Sequence, residues 1–80
     1  MGYFVYAIKS KLDGRIYVGF SENVQKRLKE HNSGKTKSTK GFRPWELIFT
    51  QECETRIDAR ELEKYFKSGS GKEKLKKMVP

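Results

Sequence analysis

Two short runs rich in aromatic and β-branched residues, Tyr3 to Ile8 and Arg15 to Phe20, stand on either side of an Asp13-Gly14 pair. Such runs favour strands, and Asp-Gly signals a tight connection because glycine adopts the left-handed backbone that a short turn demands. The spacing predicts an N-terminal β-hairpin. Two strands alone cannot shield an apolar face from water, so the rest of the chain has to cover this one.

The covering elements follow in order. Ser21 is the expected N-cap of a helix with Glu22 in its first turn, Val24 and Leu28 on its buried stripe, and an end at Asn32 to Gly34. Lys35 to Gly41 reads as a polar, lysine-rich loop. Pro44 opens a third strand, Trp45 to Thr50 or slightly beyond, where its missing N–H is tolerated. Thr55 with Asp58 resembles a capping box that starts a second long helix. Ser68-Gly69-Ser70-Gly71 stops that helix, and a short basic helix from Lys72 to Met78 closes the chain. The order β-β-α-β-α-α predicts an α+β fold: a three-stranded antiparallel sheet flanked by helices, in one domain over residues 1–80.

Composition narrows the partners. A net charge of +8 points to a polyanion, since each Lys or Arg set against a phosphate releases condensed counterions. Nucleic acid is the expected partner. One cysteine and one histidine exclude an internal disulfide and a Cys/His zinc site within one chain. No apolar run has the length of a membrane span and no secretory signal pattern opens the chain, so no membrane partner and a reducing cytoplasm are expected. Half of the ten acidic residues (Glu52, Glu54, Asp58, Glu61, Glu63) fall between basic flanks, a layout that suits a carboxylate site gripped on both sides by cations.

The second long helix carries an anomaly. Its i, i+3, i+4, i+7 stripe reads Ala59, Leu62, Glu63, Phe66, which places a carboxylate among apolar residues. Burying that charge costs several kcal/mol, roughly, without a compensating cation, so a metal ion or an arginine is expected beside it. The alternative is a Glu at the edge of the stripe that pairs with a nearby Lys or Arg.

Strand alternation tests whether two tyrosines meet. A two-residue turn sets Tyr17 opposite Ser10 and a four-residue loop sets it opposite Ile8; both place Tyr17 on the face of Tyr6, whereas three or five residues separate them. Arg27 and His31, four apart, share one side of the first helix. Arginine matches phosphate oxygens with a fixed fork and histidine moves protons near neutral pH, although a packed, satisfied core histidine fits the same position.

These residues together carry a family resemblance. Phe4-Val5-Tyr6, Tyr17-Val18-Gly19, Arg27 and His31, Arg43-Pro44-Trp45-Glu46-Leu47, and Ala59-x-x-x-Glu63-x-x-x-Lys67 stand in the order of the GIY-YIG nuclease domain, and the chain resembles its compact single-domain type. Phe4 and Val5 replace the name-giving Gly and Ile, Phe20 follows the second motif where some relatives carry a lysine or hydroxyl residue, and no asparagine follows Glu63 at the distance seen in repair-type members. The resemblance implies metal-assisted hydrolysis of nucleic-acid phosphodiesters, DNA above all, with one divalent ion, Mg2+ or Mn2+, on Glu63. It implies that Arg27 neutralises phosphoryl charge, that Tyr6 and Tyr17 orient the water with Tyr17 the favoured base, and that His31 is a second base or a phosphate contact. A phenol acting as base needs a pKa lowered from about 10. Lys35, Lys37, Lys40, Arg43, Lys67 and Lys72 are the expected nucleic-acid-binding residues, gripping backbone rather than reading sequence. Structure-directed or weakly specific cutting, with a protein partner supplying specificity, follows from the single domain. A non-catalytic nucleic-acid-binding module on the same fold is the competing reading.

Overall fold

The computed structural model describes residues 2–78. Strand β1 (Tyr3–Ser10) lies between β2 (Ile16–Ser21) and β3 (Trp45–Cys53) in a three-stranded antiparallel sheet of order β2-β1-β3. The central place of β1 follows from its composition. Val5, Tyr6, Ala7 and Ile8 are all buried in succession, which requires cover on both faces.

That cover makes three layers. Val5, Ala7 and Val18 face one way and pack with Ala59, Phe66 and Leu75 of helices α3 (Arg56–Lys67) and α4 (Gly69–Met78). Tyr6, Ile8 and Trp45 face the other way, packed against Tyr17, Leu47 and Phe42 and, from helix α1 (Val24–Ser33), Val24 and Leu28. The α+β order expected from the sequence holds, with one added element: the lysine-rich loop contains a four-residue helix, α2 (Lys37–Lys40). It forms because Thr39 is completely buried there, an anchor that the surrounding lysines hide in the sequence.

The hairpin takes the four-residue connection. Ile8 pairs with Tyr17, Ser10 N–H donates to Arg15 O at 2.9 Å, and Gly14 sits at φ 81°. Ser10 braces the loop from inside: its hydroxyl accepts from Leu12 and Asp13 N–H at 3.0 and 3.2 Å and donates to Phe42 O at 2.7 Å.

Two helix boundaries shift. Asn23, not Ser21, caps α1, its side chain accepting from Lys26 N–H at 3.1 Å; Ser21 still belongs to β2, and Glu22 lies outside the first turn. Ser21 Oγ instead closes a local turn with Asn23, the use for which a serine competes with capping. Gly34 ends α1 at φ 87°, as expected, and Thr55 caps α3 by accepting from Asp58 N–H at 3.1 Å. Ser68-Gly69-Ser70-Gly71 does stop α3, but only Ser68 lies outside a helix: α4 begins at Gly69, and Ser68 O accepts from Lys72 N–H at 2.9 Å. Gly71 is buried where α4 crosses α3, and Gly69 stands in open space at the start of α4.

Candidate active site

The register places Tyr6 opposite Gly19, and this pairing organises the site. With no side chain at Gly19, the Tyr6 ring lies across the strand: a Cβ there would stand 2.7 Å from the phenolic oxygen. Tyr6 is 1% exposed, yet its hydroxyl meets two polar groups from helix α1.

From α1, His31 Nε2 stands 2.9 Å from the Tyr6 hydroxyl, and Arg27 sets its guanidinium against the same oxygen. Arg27 and His31 reach one group because four residues make about one helical turn. Glu30 pairs with Arg27 and steadies its fork. From β2, Tyr17 shares the face of Tyr6, as the four-residue loop demands, and lies edge-on to the His31 ring with centroids 5.0 Å apart. From α3, on the other side of the sheet, comes Glu63, whose charge registers at the Tyr6 phenol.

Glu63 is therefore turned inward. Its side chain is 17% exposed and its carboxylate takes Lys67 Nζ at 3.2 Å, one turn along the helix. Among the described residues no group of three or more His, Cys, Asp or Glu side chains gathers around a common point. A lone carboxylate does not make a zinc or calcium cage. It does suit Mg2+, which keeps several waters and binds through one or two carboxylates and substrate phosphates. The Lys67 ammonium stands in for a cation at that carboxylate.

Electrostatics assigns the protonation states. Burial pushes the Tyr6 phenol above its ordinary value, with Arg27 pulling the other way and Tyr17 and Glu63 adding to the rise. The lowered phenol pKa expected for a tyrosine base is not found at Tyr6, which is a neutral phenol at pH 7. Burial lowers the His31 pKa, Arg27 lowers it further, and Glu30 opposes, so the imidazole is neutral as well. His31 is 0% exposed, with Thr39 Oγ1 2.8 Å from Nδ1 and Tyr6 on Nε2. It presents no free edge to a phosphate, which corrects the expected direct contact: anything His31 does passes through Tyr6.

The cations divide by position. Lys35, Lys37, Lys40 and Arg43 are exposed along the segment joining α1 to β3, where Arg43 Nε donates to Lys40 O at 2.8 Å and its guanidinium lies against Gly34. Lys67 is committed to Glu63, and Lys72 lies on α4, across the sheet from α1. Two contributors escape a sequence reading. Gly19 belongs to the second motif, but its role as the bed of the Tyr6 ring needs the register. Thr39 carries no signal at all, a lone threonine among lysines.

In this three-layer fold a hairpin supplies two phenols, the next helix an arginine and a histidine, and a later helix a glutamate. Residues 2–77 match the GIY-YIG catalytic domain, and the chain belongs to that family. It is 42% identical over 73 residues to the UPF0213 protein YazA of Bacillus subtilis, across 90% of this chain and 73% of that protein. The solution structure of the UPF0213 protein BH0048 from Bacillus halodurans superposes with a TM-score of 0.59 at 34% identity, covering 98% of this chain and 85% of that one. A 50-residue stretch is 38% identical to the human structure-specific endonuclease subunit SLX1, spanning 58% of this chain and 18% of that protein. Among the described residues no helix is long and apolar enough to cross a membrane.

Proposed function

We propose that this chain is an endonuclease that hydrolyses phosphodiester bonds in DNA with the help of one divalent ion, directed by the structure of its substrate rather than by sequence. The observation that carries the reading is the environment of the Tyr6 hydroxyl: Arg27 faces its oxygen, His31 Nε2 stands 2.9 Å behind it, and Tyr17 lies on the same face against the His31 ring.

Glu63 would hold Mg2+ or Mn2+, displacing the Lys67 ammonium, and the ion when bound supplies Lewis-acid polarisation of the scissile phosphate. Arg27, paired with Glu30, is a preorganised donor for charge growing on the phosphoryl oxygens. Tyr6 is the favoured base in place of Tyr17, because a neutral phenol can accept a proton from the attacking water only if it gives up its own, and His31 Nε2 is 2.9 Å away to take it. Tyr17, half-buried beside the His31 ring, orients the water. Lys35, Lys37, Lys40 and Arg43 hold the backbone of the strand and carry no sequence information. Sequence-independent contacts leave targeting to the shape of the substrate or to a protein partner.

Labelled branched, nicked, single-stranded and duplex DNA, incubated with Mg2+ or Mn2+, tests the reading. Cleavage of at least one substrate is expected, abolished in Glu63→Gln and Arg27→Ala proteins that still bind it. A wild-type protein that binds these substrates and cuts none with either ion overturns the proposal in favour of a non-catalytic binding module.

A further inference from the structure

The hydrogen bonds around His31 continue past the imidazole. Nδ1 lies 2.8 Å from Thr39 Oγ1, and that hydroxyl lies 3.3 Å from Thr36 O. Thr39 is 0% exposed and doubly fastened: its N–H donates to Thr36 O at 3.1 Å, and its carbonyl accepts the Trp45 indole N–H at 2.9 Å. The Thr39 backbone is held on both sides, and its buried hydroxyl lies between His31 Nδ1 and the Thr36 carbonyl.

A neutral imidazole has one N–H and one lone pair, and which nitrogen carries which is set by the partners. At one end, the Thr36 carbonyl accepts the Thr39 hydroxyl proton, which turns an oxygen lone pair toward Nδ1. At the other end, the Tyr6 oxygen already faces the Arg27 guanidinium, a donor with no capacity to accept, so the Tyr6 proton points at Nε2. The Tyr6 end suits this arrangement and the Thr39 end fixes it.

We propose that Thr39 is a positioning residue that locks His31 in the Nδ1–H tautomer, leaving Nε2 bare to receive the Tyr6 hydroxyl proton. The chain of donors runs Tyr6 O–H to His31 Nε2, His31 Nδ1–H to Thr39 Oγ1, and Thr39 O–H to Thr36 O. When Tyr6 accepts a proton from water, its own passes to Nε2, and the resulting imidazolium keeps its Nδ1–H bond to Thr39. The opposite tautomer has no lone pair on Nε2 and blocks the transfer. The catalytic part of this inference rests on Tyr6 as the base, but the tautomer itself does not.

The experiment uses the whole chain, whose single histidine yields one set of ring signals. Two-bond 15N–1H correlation spectra of the wild type at pH 7.5 are expected to show a protonated Nδ1 and a bare Nε2; a protonated Nε2 overturns the proposal whatever the activity. Thr39→Val, close to isosteric, is expected to mix the tautomers and lower kcat about 10- to 100-fold, the range lost when an outer partner that orients a histidine is removed, with KM within about twofold. Thr39→Ser is expected to restore both. A Thr39→Val protein with wild-type ring signals and kcat overturns the assignment, and if it does not fold, the wild-type spectrum still decides. Absence of any cleavage, with the expected tautomer present, counts against the nuclease reading and not against Thr39.

Discussion

Gly19 is the floor beneath Tyr6: the two are paired across β1 and β2, and a Cβ on Gly19 would meet the phenolic oxygen at 2.7 Å and Cζ at 2.9 Å. The ring cannot retreat, since it is buried and its hydroxyl is held by His31. Gly19→Ala is expected to destabilise the fold by about 1–3 kcal/mol, the usual cost of overpacking, and to break the bond to His31. Urea unfolding measures the first effect and the His31 ring nitrogen shifts the second.

The crossing of α3 and α4 makes a sharper case. A Cβ at Gly71 would fall 2.0 Å from Tyr65 O and 2.5 Å from Phe66 Cα, both backbone atoms, whereas one at Gly69 would meet nothing within 4 Å. Gly71→Ala is expected to cost about 3 kcal/mol or more, because two helix backbones must separate. Gly69→Ala should be neutral or stabilise by at most about 1 kcal/mol through helix propensity. Thermal unfolding of the two variants, measured side by side, checks the contrast.

His31 imposes a pH dependence on stability. Its folded pKa is lowered, so below about pH 6.5 the unfolded chain binds a proton that the native interior refuses. The unfolded state then holds more protons, and stability rises with pH across that window. On acidification from about 6.5 it falls, by at most about 1.4 kcal/mol per pH unit, until the folded pKa is passed. Asp13 and Glu30, whose pKa values are lowered chiefly by bonds to Arg15 and Arg27, add their loss only near pH 4 and below, roughly. Chemical denaturation between pH 5 and 7.5 should show the slope in the wild type and a flat line in His31→Gln.

Lys67 occupies the carboxylate that the proposed metal ion would need. The ammonium lies 3.2 Å from a carboxylate that is 17% exposed, so Lys67→Met frees the oxygen atoms for a divalent ion. The Mg2+ concentration giving half-maximal cleavage is expected to fall severalfold, about the effect of removing a weak ion pair of 1 kcal/mol or less. An Mg2+ titration at saturating substrate measures it, and a rise would make Lys67 a substrate contact instead.

Under the proposed function, the four exposed cations between α1 and β3 would set the salt dependence of DNA binding. Replacing Lys35, Lys37, Lys40 and Arg43 with Ala is expected to flatten the slope of log K against log salt by up to about 3.6 on duplex DNA, at about 0.9 per phosphate contact. Lys72→Ala, on the opposite layer, should leave the slope unchanged within about 0.5. Fluorescence anisotropy across a range of KCl concentrations reads both.

Local chemistry made much of this protein legible before any coordinates. Alternating aromatic and β-branched residues around Asp13-Gly14 specify the hairpin, Gly34 the end of α1, Thr55 the start of α3, and the carboxylate on an apolar stripe marks Glu63, because each depends on neighbours within a few residues. Ser21 misled for the same reason: Asn23 stands two residues on with an equally good cap, and only the extent of β2 chooses between them. The order of the motifs sufficed to place the chain in its family.

What the sequence left open was decided by contacts across long separations. Loop length and register put both phenols on one face and laid Tyr6 across Gly19; the packing of α1 on that face of the sheet brought Arg27 and His31 to the Tyr6 hydroxyl. Burial then raised the phenol, neutralised His31 and recruited Thr39 from what reads as a solvated loop. Propensity and capping act through the chain's immediate neighbours and can be read in order, whereas desolvation and proton direction depend on which groups meet in space.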